Sequence, residues 1–305
     1  MEKALIITPF FKPNIGGAET FAEDLGKVLS KKYLVHICTI KWDKPIIWEG
    51  TDFIASFKLL LKLIPAVWKM RKNKYAKVYA FGFTSAFACV LLRIKFYAVI
   101  CCLYDFNGRK FPYTQVLSRA DKVFIEGKTG EADMLALGMK PEKVIKFQHW
   151  CEQGRFFPTK HTNKNLKVIF VGRPIWRKGK HIIEACQKLT KDVEYEYIEN
   201  VPYKNLAVYY QMADVCVVPS LYSESFSRVV VEAASCGCVL ITSNLGALPE
   251  MVSKFGYCIE PTPVKFAEII NNLNKNRWLL KRKKDETIIH AVTYFGELNA
   301  SVFLL

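Results

Sequence analysis

Short apolar runs alternate with amphipathic stretches along this chain, and the two spacings separate strands from helices. Runs at 4–8, 34–39, 78–81, 98–103 and 122–126 are of strand length and rich in aliphatic and aromatic residues. Between them, 17–30, 53–70, 85–93 and 129–137 read as helices. The stretch 151–166 is polar, holds Pro158 and has no clear period, so a linker is expected there. The pattern then restarts, with strands at 167–171, 194–198, 215–218 and 239–242 and helices at 181–189, 205–212 and 227–236. This alternation predicts an α/β chain of two Rossmann-like, doubly wound domains, 1–150 and 167–305, the second ending in C-terminal helices. Open sheets of this kind bind ligands outside the carboxyl ends of their strands, which puts the expected site in the cleft between the domains.

Composition narrows the class. A hydrophobic share of 51% over 305 residues rules out a disordered chain and supplies enough apolar surface for two cores. The ten cysteines mostly fall inside apolar runs and form no C-x-x-C pair, so they read as small core residues in a reducing compartment. Five scattered histidines give no zinc pattern, and no metal is expected. The first apolar run, 4–8, stops at Pro9 and is too short for a secretion leader, so a cytoplasmic location is expected.

The net charge of +16 asks for an acidic partner. Nucleic acid is not expected, because the one dense basic run, Lys281 to Lys284, forms no recognisable module. An anionic membrane face fits better. The segment Phe53 to Met70 is apolar with Lys58, Lys62 and Lys69 interspersed, and Arg71, Lys72 and Lys74 follow it. An ordinary crossover helix with a basic outer face would look the same, and Pro65 interrupts the run. Arg93 and Lys95 split the long apolar stretch 78–104 into pieces too short to span a bilayer.

Candidate chemistry concentrates in 215–250. There an apolar strand feeds a serine-rich turn, and the turn opens a helix bracketed by Glu224 and Glu232. The first N–H groups of a helix lack intrahelical partners and lie at the positive end of its dipole, so a phosphate is expected over Ser225, Phe226 and Ser227. The two glutamates would hold hydroxyls. A ligand with phosphate and sugar hydroxyls is a nucleotide sugar, although a solvated glutamate and a helix-face glutamate give the same spacing. Arg173 and Lys178 follow the first strand of the second half and could clamp a diphosphate, the first as a planar fork and the second as a point charge. In isolation they also read as surface charges. Gly16 and Gly17 open the first helix and would let a phosphate or sugar approach the backbone, or form a simple turn. The turn is not the G-x-G-x-x-G of dinucleotide binders.

Taken in order, the turn at Gly16 to Glu19, the cluster Gly172 to Gly179, the run Ala213 to Ser220 and the span Glu224 to Glu232 resemble retaining GT-B glycosyltransferases of the family-4 type, the glycosyl transferases group 1. Arg155 to Pro158 is similar to the element that precedes that family's linker. The resemblance implies that Arg173 and Lys178 bind the donor diphosphate, Glu224 the donor sugar and Glu232 the ribose. Gly16 and Gly17 would approach from the other domain. It also implies metal-independent transfer, without a cofactor, from a nucleoside diphosphate sugar to an acceptor hydroxyl with retained configuration. A lipid-linked or cell-surface glycan at the inner membrane face is the expected acceptor. Tyr104 and Asp105 stand where the family usually has a His-Asp pair holding the donor sugar, and the ESFS turn replaces the usual E-x-F-G. His149 to Glu152 stand where Asn-Gly-x-Asp is common. These departures keep open a nucleotide-sugar-binding protein without catalysis.

Overall fold

A computed structural model describes residues 1–11, 16–40, 53–101, 111–152 and 154–304. The chain divides into two compact units, Met1–Phe147 with Ala300–Leu305, and Gln148–Asn299. The first unit runs β1 (Lys3–Ile7), α1 (Gly17–Leu29), β2 (Leu34–Cys38), α2 (Phe53–Met70), β3 (Lys77–Phe81), α3 (Gly82–Leu91), β4 (Tyr97–Ile100), α4 (Tyr113–Leu117), β5 (Val123–Glu126), α5 (Gly127–Ala136) and β6 (Val144–Phe147). Its sheet has six strands in the order β2-β1-β3-β4-β5-β6, all parallel. The order reverses between β1 and β3.

The second unit runs β7 (Leu166–Val171), α6 (Lys180–Gln187), β8 (Val193–Ile198), α7 (Leu206–Gln211), β9 (Val215–Val218), α8 (Arg228–Ser235), β10 (Val239–Ser243), α9 (Leu248–Val252), β11 (Tyr257–Ile259), α10 (Pro263–Lys275) and α11 (Arg277–Tyr294). Its five strands, also parallel, lie in the order β11-β10-β9-β7-β8, so the reversal falls between β7 and β9. Strands buried on both faces read as unbroken apolar runs, as VCVV in β9 does. One face of this sheet packs Ile169, Cys216 and Leu240 against α8 and Phe295; the other packs Val168, Val217 and Ile241 against α6 and α10.

Two parts of the expected layout are corrected. The stretch read as a linker, 151–166, belongs to the second unit, where Cys151 and Phe156 are buried among Tyr210, Ala233 and Phe295. Residues 300–304 belong to the first unit instead of ending the second. Phe303 is buried against Phe124, ring centroids 4.5 Å apart, and its carbonyl accepts the Tyr79 hydroxyl at 2.5 Å. The strands β6 and β11 were not expected.

One buried carboxylate explains why the polar stretch is held in place. Asp214, at the foot of β9, accepts from the Asn163 amide at 2.9 Å, the Lys167 backbone N–H at 3.1 Å and the Lys284 ammonium at 3.0 Å. It thereby ties 151–166, β7 and α11 to one point. Burial pushes its carboxyl up, but these donors outweigh it and hold its pKa below the ordinary 3.8. A depressed carboxyl pKa contributes stability that is complete above the unfolded value and is lost as pH falls through the folded one. Asp214→Asn should therefore cost about 2–4 kcal/mol at neutral pH, with the gap to wild type closing as acid protonates the native carboxylate. Denaturant titrations of both proteins from neutral pH downward check this; a gap independent of pH would contradict it.

Candidate active site

Three loops at the carboxyl ends of neighbouring strands build the site, all within the second unit. After β7 the chain passes Arg173 and enters a 3-10 turn, Trp176–Lys178, which Gly179 closes at φ 76 before α6 begins. After β9 it passes Pro219 to Ser227 and starts α8. After β10 it turns through Gly246, φ 62, into α9. Backbone contacts lock the three together. A Cβ at Gly179 would run into the Pro219 carbonyl, and one at Gly246 into the Glu224 backbone, 2.6 Å from its nitrogen. The Leu221 N–H donates to the Arg177 carbonyl at 2.8 Å, and the Ala247 N–H to that of Glu224 at 2.7 Å. Only glycine combines a left-handed backbone with so close an approach.

This clasp brings Lys178 to Glu224. The Lys178 Nζ lies 2.8 Å from Glu224 Oε1, which also accepts the Ser220 hydroxyl, while no described residue donates to Oε2. The carboxylate side chain is 3% exposed and the lysine 23%. Burial pulls the Lys178 ammonium down, but Glu224 and Tyr222 outweigh it and hold its pKa above the ordinary value, so the lysine is charged at neutral pH. Lys178 and Arg177 both lie over the Tyr222 ring, at 5.2 and 5.3 Å from its centroid. Arg173 is half-buried, and its side chain makes no ion pair with another described residue.

Glu232 lies in a second buried cluster. Its Oε2 accepts the Tyr210 hydroxyl at 3.0 Å and its Oε1 faces Arg228 Nε at 3.3 Å. Arg228 also donates to the Tyr203 hydroxyl at 2.7 Å, and the Arg155 and Arg228 guanidiniums both lie near the Tyr203 ring, 5.1 and 5.4 Å from its centroid. Tyr210 is fully buried, which with Glu232 beside it keeps the phenol protonated. Phe226 stacks on His149 with ring centroids 3.8 Å apart, and burial, with Arg228 nearby, keeps that imidazole neutral.

The expected anion position needs a correction. The Ser227 N–H donates to Met251 Sδ at 3.4 Å, so it is not open to a phosphate, and the Val230 and Val231 N–H groups turn back to the Ser227 carbonyl. Ser225 is half-buried in the turn before the helix. Gly16 and Gly17 stand in the first unit, as N-cap and first residue of α1, where the Gly16 carbonyl accepts the Thr20 N–H at 3.1 Å. Tyr104 and Asp105 lie outside the described residues. Ser220, Tyr222, Arg228 and Tyr210 were not expected as site residues. Ser220 had a signal, since it closes the run Ala213 to Ser220; the others became visible only through tertiary contact.

Among the described residues, no group of His, Cys, Asp and Glu could hold a metal ion, and no helix is long and apolar enough to cross a membrane.

Two doubly wound parallel sheets with polar loops at the strand ends define the GT-B class of α/β proteins. Residues 155–291 match the family described as Glycosyl transferases group 1. Sucrose-phosphate synthase from Thermosynechococcus elongatus has the same fold over 99% of this chain and 97% of its own, with a TM-score of 0.85 and 18% identity. The Anabaena protein HepE, solved in complex with UDP-glucose, matches over 100% and 98% with a TM-score of 0.73 and 16% identity. The O-antigen chain mannosyltransferase B of Escherichia coli is 34% identical over 97 residues, which are 31% of this chain and 25% of that protein. The match thus spans about a quarter of that curated relative.

Proposed function

We propose that this chain is a retaining, family-4-type glycosyltransferase that moves a sugar from a nucleoside diphosphate sugar to an acceptor hydroxyl, without a metal or cofactor. The observation that carries this is the Lys178–Glu224 pair, 2.8 Å apart and anchored by Ser220 where the strand order reverses between β7 and β9. Ligands of open α/β sheets bind at that point. Arg173 and Lys178 supply positive charge for the diphosphate, and Glu224 Oε2 accepts from a donor-sugar hydroxyl. Glu232, held by Tyr210 and Arg228, shapes the ribose end.

The reaction needs the bond between the anomeric carbon and the phosphate oxygen to break as the acceptor oxygen bonds to that carbon from the same face. Negative charge grows on the departing diphosphate, and fixed cations in a partly buried site lower the barrier. The acceptor proton passes to a phosphate oxygen, so no base from the chain is required. The names and ligands of the relatives support a nucleotide-sugar donor, and a mannosyltransferase of O-antigen chains supports a glycan or lipid-linked acceptor.

A panel of nucleoside diphosphate sugars tests this by thermal shift, because a ligand that binds the native state raises its melting temperature by mass action. One donor should stabilise the protein and should turn over when acceptor extracts are added. Stabilisation without transfer or donor hydrolysis would move the chain to the class of nucleotide-sugar-binding proteins. No stabilisation by any donor would sink both readings.

A further inference from the structure

The geometry points to an anionic-lipid site on the first unit, independent of sugar transfer: a cationic cavity between the ends of α2 and α3 that takes a phospholipid headgroup phosphate while neighbouring apolar side chains enter the bilayer. The cavity measures about 230 Å³. Arg71, Arg93 and Lys95 line it together with Asn73 and Tyr75, over an apolar floor that includes Leu5 and Val78, and none of its lining residues is acidic. Like charges gathered without a carboxylate repel one another, and an anion relieves that repulsion. The three cations make no ion pair with another described residue. The polar side of the cavity is already ordered, since the Tyr75 hydroxyl meets His36 Nδ1 at 2.9 Å and accepts from Asn73 at 3.3 Å.

What distinguishes a lipid from a free phosphate is the surface beside the cavity. Helix α2 buries Leu59, Leu60, Leu63 and Val67 against the core, as an amphipathic helix should. It then exposes a second apolar stripe, Phe57, Leu61 and Trp68, each more than half exposed, on a separate face. Lys58, Lys62 and Lys69 each follow one stripe residue and border that stripe. The walls of the cavity repeat the arrangement: Arg71 comes three residues after Trp68, and Arg93 two residues after Leu91, which is 51% exposed at the end of α3. A soluble phosphate would satisfy the cations and leave Phe57, Leu61, Trp68 and Leu91 in water. An anionic bilayer covers both, its headgroups meeting the cations and its acyl boundary the aromatic and aliphatic side chains. The stripe also accounts for the composition of the 53–70 segment, apolar on two faces where a crossover helix needs one.

The test is co-sedimentation of the full chain with vesicles of phosphatidylcholine, alone or with roughly 30 mol% phosphatidylglycerol, as a function of salt. Binding is expected to the anionic vesicles and to weaken as salt rises. The triple variant Arg71→Gln, Arg93→Gln, Lys95→Gln should lower partitioning at least about tenfold, and Leu61→Ser with Trp68→Ser should do the same. Three lysines of the second unit, Lys188, Lys191 and Lys281, changed together to Gln remove equal charge and should have a much smaller effect. All positions are exposed, and melting curves confirm that the variants fold. Equal binding to neutral vesicles overturns the proposal, as does an equal loss in the second-unit control. So does unchanged partitioning in the cavity variant, or inorganic phosphate binding to the cavity with no binding to vesicles.

Discussion

Arg173→Ala and Lys178→Ala are each expected to lower kcat/KM for the nucleotide-sugar donor by about 30- to 1,000-fold, the equivalent of roughly 2–4 kcal/mol of transition-state stabilisation. The two variants should differ in how they fail. Arg173 has no ion-pair partner among the described residues, so its removal takes charge from the site and leaves the surrounding structure intact. Lys178 is bonded to a carboxylate only 3% exposed, and its removal leaves Glu224 Oε1 with Ser220 alone. A buried carboxylate stripped of its cation loses stability as well as function. Arg173→Ala should thus melt as wild type while losing turnover, and Lys178→Ala should lose both. Glu232→Ala should act mainly on donor KM, because its oxygens are engaged by Tyr210 and Arg228 away from the breaking bond. Steady-state kinetics with varied donor, alongside thermal melts, separate these cases. If Arg173→Ala and Glu224→Ala both keep near wild-type kcat/KM in folded protein, the donor site is elsewhere.

The positions of the charged residues of this candidate site were readable in the chain because the turn and the strand ends carry them in short runs. Arg173, Lys178 and Glu224 follow apolar strands, Glu232 lies within the helix that comes next, and α2 and β9 fall where their patterns put them. What the pattern withheld are contacts made by distance in sequence. β6, VIKF, is short and interrupted by Lys146, and β11 has three residues, too few to show a period. The Ser227 amide looked open to an anion because a helix start presents free donors; Met251, from α9, fills that place. The polar stretch 151–166 looked like a linker because its anchors, Asp214 and Lys284, lie far along the chain. Phe303 ends in the first unit although nothing near it in sequence says so.

Gly246→Ala should be among the most damaging single substitutions in the second unit, and Gly179→Ala should approach it. Both glycines hold φ near the left-handed region, 62 for Gly246 and 76 for Gly179, where a side chain costs about 1–2 kcal/mol by itself. Both also face backbone, which cannot swing aside as a side chain can. A methyl at Gly179 meets the Pro219 carbonyl, and one at Gly246 meets the Glu224 backbone. Relief requires the loops after β7, β9 and β10 to separate, and the same separation draws Lys178 from Glu224. A combined cost of about 3–5 kcal/mol is expected, a fall in melting temperature of roughly 6–20 °C for a unit of this size. Activity should fall further than stability, since a shift of about 1 Å in a reacting geometry costs on the order of a hundredfold. Gly154 provides the contrast: an added Cβ there meets nothing within 4 Å and its φ is ordinary, so Gly154→Ala should be close to neutral. Melting curves and donor kinetics of the three variants decide the matter. If Gly246→Ala melts with wild type and keeps its kcat/KM, the clasp does not position Glu224, and the pairing of Lys178 with Glu224 must be maintained by Ser220 and Tyr222 alone.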